Sequence, residues 1–502
     1  MKPVFKQIPE KKLTAQQERL MAPLIGLPLF RWRQEPTDLK ELFDNNIPLS
    51  IWRDNGTVIF INAWYSNRSV LRCLSFDYRE DKEDDEGGPV CLCGHIVGDT
   101  DEAIAETATF FWSLKHPAAI LRLYMTTKFD MSSFRPEQLT RILDNQRNLD
   151  LQTGSWSTEQ AVVLATRPHP LHLRLGMDVT FSGDNGTAFA EALETRTSTF
   201  GYLHIETDDY DRPPLSQNSF KRLLQLEGKI ERLRISLLKE IEMLLLPMSA
   251  QVDCLEYDLE VKRIQENAFD TLSIAAKHIS LTFFLDWLED GSWYVYVISF
   301  FDRLAQLGHV ESLSLSLNYL DPTTVSFLDS NEEMSSIARA VVGFIQGNPR
   351  LKHFSFSDIL WCVDDEPHLP QIFEAMEDHP SLRTVMIQGC KDESDDDGVK
   401  YLSHLDYNAL RQLLSRNRNI EILDFNRKRI SDGARIDELY KLNLYYNHSL
   451  KLLTEKPTSR SQLVSTALIE SASGEFPQTA VLIAHHLDLM ATWWWPSILI
   501  NR

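Results

Sequence analysis

The apolar positions of this chain fall into two alternating spacings from about residue 101 onward. One is short and strand-like. At Asn348-Pro349-Arg350-Leu351 a helical run ends, and apolar residues follow at Leu351, Phe354 and Phe356. The layout recurs at His379-Pro380-Ser381-Leu382, leading into Val385 and Ile387, and at Asn417-Arg418-Asn419-Ile420, leading into Leu423 and Phe425. Counted through the chain, the first apolar slot of such a strand falls at Ala118, Gln146, Pro170, Phe200, Ile230, Val252, Ala276, Val310, Leu351, Leu382 and Ile420. The next two slots lie three and five residues on, as in Leu173/Leu175, Leu203/Ile205, Leu233/Ile235 and Leu313/Leu315. The other spacing is helical. Ala188, Phe189, Ala192 and Leu193 share a face, as do Phe220, Leu223 and Leu224, and Ile337, Val341, Phe344 and Ile345. Ser157-Thr158-Glu159-Gln160 reads as a capping box at one helix start.

One strand and one helix cannot bury their apolar faces alone, whereas stacked neighbours can. The pattern predicts an α/β solenoid, with a parallel sheet on the concave side and helices outside. Its strand starts are 22 to 41 residues apart, so the array is irregular. A doubly wound α/β domain is the second fold to consider. It wants longer all-apolar strands and a Gly-rich turn after the first one, and the sequence has neither. The LxxLxL strands resemble those of leucine-rich repeat proteins of the ribonuclease-inhibitor-like, β-α type, over about residues 115–430. The turn slot after the strand, Asn or Cys in that family, holds Asn318 and Cys390 in two units and Asp178, Asp208, Leu238 or Lys428 in others. The resemblance implies a horseshoe and protein recognition through its concave sheet, and it brings no catalytic residues.

Outside the array, three organisational blocks are expected: 1–100, 101–430 and 431–502. In the first, Thr14 to Ala22 predicts a short helix. Ile47 to Arg53 and Thr57 to Tyr65, joined by Asp54-Asn55-Gly56, predict a hairpin, and Val70 to Tyr78 a third strand. The acidic stretch from Arg79 to Gly88 predicts a solvated loop. In the last block, Ile436 to Leu453, Gln462 to Ala472 and Thr479 to Thr492 read as helices capping the array.

The formal net charge of −21 disfavours non-specific binding to nucleic acid or anionic membranes. Six sparse cysteines do not make a disulfide framework. The first residues lack an apolar h-region, and no run of eighteen apolar residues occurs. A cytoplasmic or nuclear chain is expected.

Between the second and third apolar slots, one side chain per unit must face away from the core. In order these are Arg122, Asp150, Arg174, His204, Arg234 and Glu256, then Ser280, Ser314, Ser355, Met386 and Asp424. The first six are the candidate partner-binding residues. Arg174, His204 and Arg234 would stand side by side and could meet an acidic surface, or they could be an ordinary solvated face balanced by Asp150 and Glu256. Cys91, Cys93 and His95, with Cys73, are a poor match to structural zinc, which favours Cys-x₂₋₄-Cys, and read instead as a strand. Asp392 to Gly398 fails as an EF-hand because His404 stands where a bidentate Glu is needed. His485-His486 reads as a surface edge, Trp493-Trp494-Trp495 as a seal on the cap, and Asn426-Arg427-Lys428-Arg429 as a solvated loop. No phosphate loop, nucleophile elbow or HExxH occurs. The expectation is a non-enzyme without cofactor or metal, whose partner is another protein rather than nucleic acid, a membrane or a small-molecule substrate. A substrate-receptor or regulatory subunit of a larger assembly, such as a ubiquitin ligase, is the alternative, and an unrecognised hydrolase the third.

Overall fold

The computed structural model describes residues 5–22, 26–39, 48–63, 71–80, 90–114, 119–207, 214–265, 267–285, 293–318, 331–356, 362–363, 366–387, 407–424, 426–471 and 476–489. The acidic stretches 81–88 and 392–398 and the Trp493–Trp495 tail lie outside these residues. The chain divides into two compact units, 1–259 with 273–276, and 260–272 with 277–502. Both are α/β.

The first unit opens with β1 (Phe5–Gln7), α1 (Ala15–Met21) and β2 (Leu29–Trp32). Thr14 caps α1 through a reciprocal box with Gln17, which explains why the helix starts there. The expected hairpin is β3 (Leu49–Arg53) and β4 (Thr57–Ile61), turned at Gly56, whose φ of +85° suits a residue without a side chain. β5 (Arg72–Glu80) and β6 (Val90–Gly98) follow, antiparallel to each other, and β5 also pairs with β7 (Ala119–Thr127) after helix α2 (Asp101–Trp112). The strands of residues 72–98 are therefore hydrogen-bonded, through β7, into the same sheet as the parallel strands of this first unit.

From β7 the expected alternation holds through α3 (Pro136–Leu143), β8 (Asn148–Trp156), α4 (Thr158–Ala165), β9 (His172–Phe181), α5 (Thr187–Thr195), β10 (Phe200–Ile205), α6 (Gln217–Leu224) and β11 (Ile230–Ile235). The short 3-10 turns Ile241–Met243 and Leu246–Ser249 stand in place of a helix between β11 and β12 (Cys254–Glu260). β7 to β12 pair in sequence order, each parallel to the next. Consecutive helices from α2 to α6 lie side by side. Ser157 caps α4 as its sequence requires.

The second unit carries β13 (His278–Phe284), α7 (Trp293–Leu307), β14 (Ser312–Asn318), α8 (Asn331–Gly347), β15 (His353–Phe356), a short antiparallel pair β16 (Cys362–Val363) and β17 (Glu366–Pro367), α9 (Leu369–Met376), β18 (Thr384–Ile387), α10 (Tyr407–Arg416) and β19 (Glu421–Leu423). β13, β14, β15, β18 and β19 are parallel throughout. Three helices close the chain: α11 (Arg435–Leu452), α12 (Pro457–Ser471) and α13 (Phe476–His485). The last two begin three to five residues earlier than their apolar pattern suggests. No helix among the described residues is long and apolar enough to cross a membrane.

The apolar slots are core. Leu173, Leu175, Leu203, Ile205, Leu233, Leu313, Leu315 and Phe356 are all buried. Two units depart from the expected frame. Pro170 is exposed, and Leu171 fills the first slot instead. In the last unit Ile422, not Leu423, pairs with Val385, so Leu423 takes the outward place expected for Asp424. Ile420 and Ile422 already satisfy a two-residue alternation, and the strand ends at Leu423.

A second feature repeats where each helix turns into its strand. A buried polar side chain there bonds to backbone carbonyls, most of them in the preceding unit. Asn348 donates to the carbonyls of Leu304 (3.1 Å) and Phe344 (2.9 Å), and its own oxygen accepts from the Val310 amide (3.1 Å). His379 reaches the Asn348 carbonyl (3.0 Å), and Asn417 donates to those of Met376 (2.9 Å) and His379 (3.2 Å). Asn443 continues to Leu414 (2.7 Å). In the first unit Gln146 bonds Leu114, Arg196 bonds Ala165 (2.8 Å) and His169 (2.6 Å), and Lys229 bonds Arg196 (2.6 Å). Some of these carbonyls, such as those of Leu304, Ala165 and Met376, lie in the last turn of a helix, where they have no intrahelical partner.

Candidate binding face of the first unit

The six residues singled out by spacing form one row. Strand pairing sets Arg122 beside Asp150, Asp150 beside Arg174, Arg174 beside His204, His204 beside Arg234 and Arg234 beside Glu256. Asp77 on β5 extends the row past Arg122, and Cys93 on β6 past Asp77. Parallel strands about 4.8 Å apart bring such side chains into direct reach.

The row is not a bare positive stripe. Arg174 grips Glu206 with two donors, Nε to Oε2 at 3.1 Å and Nη2 to Oε1 at 3.0 Å, and also stands 3.8 Å from Asp150. Arg122 lies 3.4 Å from the other oxygen of Asp150. Glu256 takes Arg234 at 3.6 Å and Arg232 more closely. Arg79 pairs with Asp77 at 3.1 Å. Asp150 and His204 face away from the apolar core yet are only 6% and 4% exposed.

Burial governs the titration of these groups. It pushes the Asp150 carboxyl up against the opposing pull of Arg174. It works on Glu206 too, but there the hydrogen bond and charge of Arg174 prevail, and the carboxyl sits below its ordinary range. His204 is lowered to about 4 by burial and then by the Arg174 charge, so its imidazole is neutral, with Nε2 at 3.2 Å from Ser236 Oγ. Burial raises the Cys254 thiol to about 11, which keeps it protonated and unreactive at neutral pH.

Beside this row runs another that the spacing argument passed over. Asn148, His172, Tyr202, Arg232 and Cys254 align across β8 to β12, two residues before the charged row. The strand alternation that marked Arg174 and His204 also marks these positions, because residues two apart share a face. His172 and Arg232 are exposed and Tyr202 is half-buried. The His172 ring meets Tyr202 edge-on at 6.1 Å between centroids, and the Arg232 guanidinium lies 5.4 Å from the Tyr202 ring centre. The face therefore offers an aromatic–guanidinium group beside a neutralised, half-buried charge network.

No known family model matches the chain, and no curated protein matches it in sequence.

The other sequence candidates are dispersed by the fold. His95 bonds Ser75 at 2.8 Å, while Cys93 lies against Asp77 and Asn62. Among the described residues no three metal-ligating side chains converge. His486 is not a surface residue. It is fully buried, accepts from Arg460 at 3.0 Å and approaches the Ser449 carbonyl at 3.2 Å, tying α11, α12 and the end of α13 together. The apolar stripe of α13 hid this, because a buried histidine and an edge histidine occupy the same helical spacing. Arg427, Lys428 and Arg429 are exposed beyond β19, with Arg429 paired to Glu421.

A cleft of about 1110 Å³ opens among the first strands, lined by Arg31, Trp32, Glu35, Trp52, Arg53 and Glu106 among others. Arg53 lies 3.9 Å over the Phe110 ring and pairs with Glu35 at 3.2 Å. The described lining has no histidine, cysteine or serine, and its charged members include Lys6, Glu35, Asp38, Arg53 and Glu106.

Proposed function

We propose that this chain is a non-catalytic scaffold that recognises another protein through the outward sheet face of its first unit. What supports this most is the Tyr202–Arg232–His172 group. Tyrosine and arginine dominate the energetics of protein interfaces, and here a half-buried tyrosine and an exposed arginine stand on parallel strands that fix their spacing. The charge network beside them favours a rigid platform. Arg122, Asp150 and Arg174 pair with one another, Glu256 pairs with Arg234 and with Arg232 of the neighbouring row, and the charges of the row largely cancel. The partner then meets an aromatic–cationic surface, in place of a purely basic one. The parallel sheet and strand–helix alternation favour a degenerate leucine-rich repeat array, with this face concave and α11 to α13 as its C-terminal cap.

The test is co-purification of bound proteins with the intact chain and with Tyr202→Ala/Arg232→Ala. Both side chains lie outside the apolar core, so the variant should keep its circular dichroism spectrum. Loss of a single truncated hot-spot typically costs about 2 kcal/mol, roughly thirtyfold in affinity. Recovery of the same partners in the same amounts would overturn the assignment.

A further inference from the structure

The start of the parallel strands in the second unit carries a distinct basic edge. Backbone bonds define it: Glu311 N donates to the Lys277 carbonyl (2.8 Å), Lys352 N to that of Glu311 (2.7 Å), and Arg383 N to that of Lys352 (2.8 Å). Lys277, Glu311, Lys352 and Arg383 thus stand in line on adjacent strands. Arg350 precedes Lys352 by two residues. Lys277, Arg350, Lys352 and Arg383 are all exposed. Glu311 is held by Lys352 at 2.7 Å. Arg383 bonds only backbone carbonyls, Leu382 at 3.0 Å and Pro380 at 3.4 Å, so no described carboxylate neutralises it.

Cations near helix C-termini can serve only to offset the helix dipole, an effect confined to the last turn. Lys352 and Arg383 lie beyond Pro349 and Pro380, past that turn, and Lys277 follows no helix directly. The surrounding field is positive. His353 is lowered by burial and then by the neighbouring His278 and Lys352, and Glu311 is lowered by its Lys352 hydrogen bond, with Lys277 and His278 adding to it.

We infer that this strand-start edge, carried by Lys277, Arg350, Lys352 and Arg383, docks an extended acidic segment of a partner protein. Strands about 4.8 Å apart present cations at a spacing that the carboxylates of an extended chain can follow. The chain as a whole carries −21, so the attraction is local and strongly screened by salt. A row of point charges without exposed stacking rings among its members suits carboxylates better than nucleic-acid bases.

Fluorescence anisotropy of a labelled polyglutamate peptide with the full chain at low salt tests this. Binding is expected, with loss toward about 0.15 M salt. Arg350→Glu/Arg383→Glu should weaken it about tenfold or more, while Lys441→Glu on exposed α11 surface should leave it unchanged. Absence of peptide binding, or equal weakening by both variants, would overturn the proposal. So would a single-stranded RNA of similar charge binding as tightly and losing affinity with the same double reversal. Tyr202→Ala/Arg232→Ala should bind the peptide normally, which separates this edge from the face of the first unit.

Discussion

At the scale of single residues, polar side chains at helix ends do as much as the leucines to define the units. Asn348 is completely buried and makes three hydrogen bonds to the backbone, two of them to its neighbour's helix end and strand start. Asn348→Ala should cost about 2–3 kcal/mol, because it leaves buried carbonyls and the Val310 amide without partners. A urea midpoint measured on both proteins checks this. Asn348-Pro349 was visible in the sequence as a helix stop, but its inward hydrogen bonding was not. His379, Arg196 and Lys229 perform related tasks with unrelated chemistries, so no residue identity repeats for a pattern search to find. His486 reads as a surface edge in the sequence, although it is buried, for a similar reason. Its burial depends on Arg460 and Ser449, from two other helices.

At the scale of elements, alternating apolar spacing located nearly every strand and helix of the repeating region. Period and capping are local properties, and the structure kept them. Register was less legible. Pro170 and Leu423 each stand one residue from the expected frame, because a short strand can satisfy a two-residue alternation in either of two ways. Helix packing depends on a detail that periodicity does not mark. A methyl group at Gly347 would stand 2.6 Å from the Ala305 carbonyl oxygen and 2.8 Å from its Cα. α8 therefore approaches α7 backbone to backbone at its last turn. Gly347→Ala should force the two helices apart at a cost of about 1–3 kcal/mol. Thermal unfolding would register it as a lower midpoint, with Gly343→Ala, whose added methyl meets nothing within 4 Å, as the control.

At the scale of the whole molecule, the row of candidate binding residues was legible as an alignment, and strand pairing reproduces it. Its electrostatic character was not. Neutralisation of Arg174 comes from Glu206, one residue past the end of β10, and the near-complete burial of His204 depends on tertiary packing. The histidines give the protein a definite acid response. His204, His169, His379, His353, His485 and His486 are all lowered, in each case by burial first. A group lowered in the folded state takes up its proton first when unfolded. Stability is then full above about pH 6.5 and falls as the pH drops toward the folded value. For His204, with a folded value of about 4, the loss is on the order of 3 kcal/mol once pH 4 is passed. Asp150, raised by burial, opposes this slightly at the acid end. Midpoints recorded from pH 7 to pH 4 should fall steadily, and His204→Gln should flatten the fall.

The polar linkages at helix ends also settle where the chain can change length. Turns from helix into strand are short: Gly308 to Glu311, Asn348 to Lys352 and Asn417 to Ile420 each hold four or five residues. Passages from strand into helix absorb the variation, from the single residue Ser157 between Trp156 and Thr158 to the nineteen of 388–406 between Ile387 and Tyr407. One margin of the array is keyed, since each carbonyl must find the side chain of the next unit. At the opposite margin one described unit is tied in a similar way, through Gln160, which donates to the Met131 (2.9 Å) and Phe134 (2.7 Å) carbonyls, while the lengths of the passages vary widely. Extra sequence accumulates there without disturbing the stacking, and the uneven spacing of the units is the visible record of that freedom.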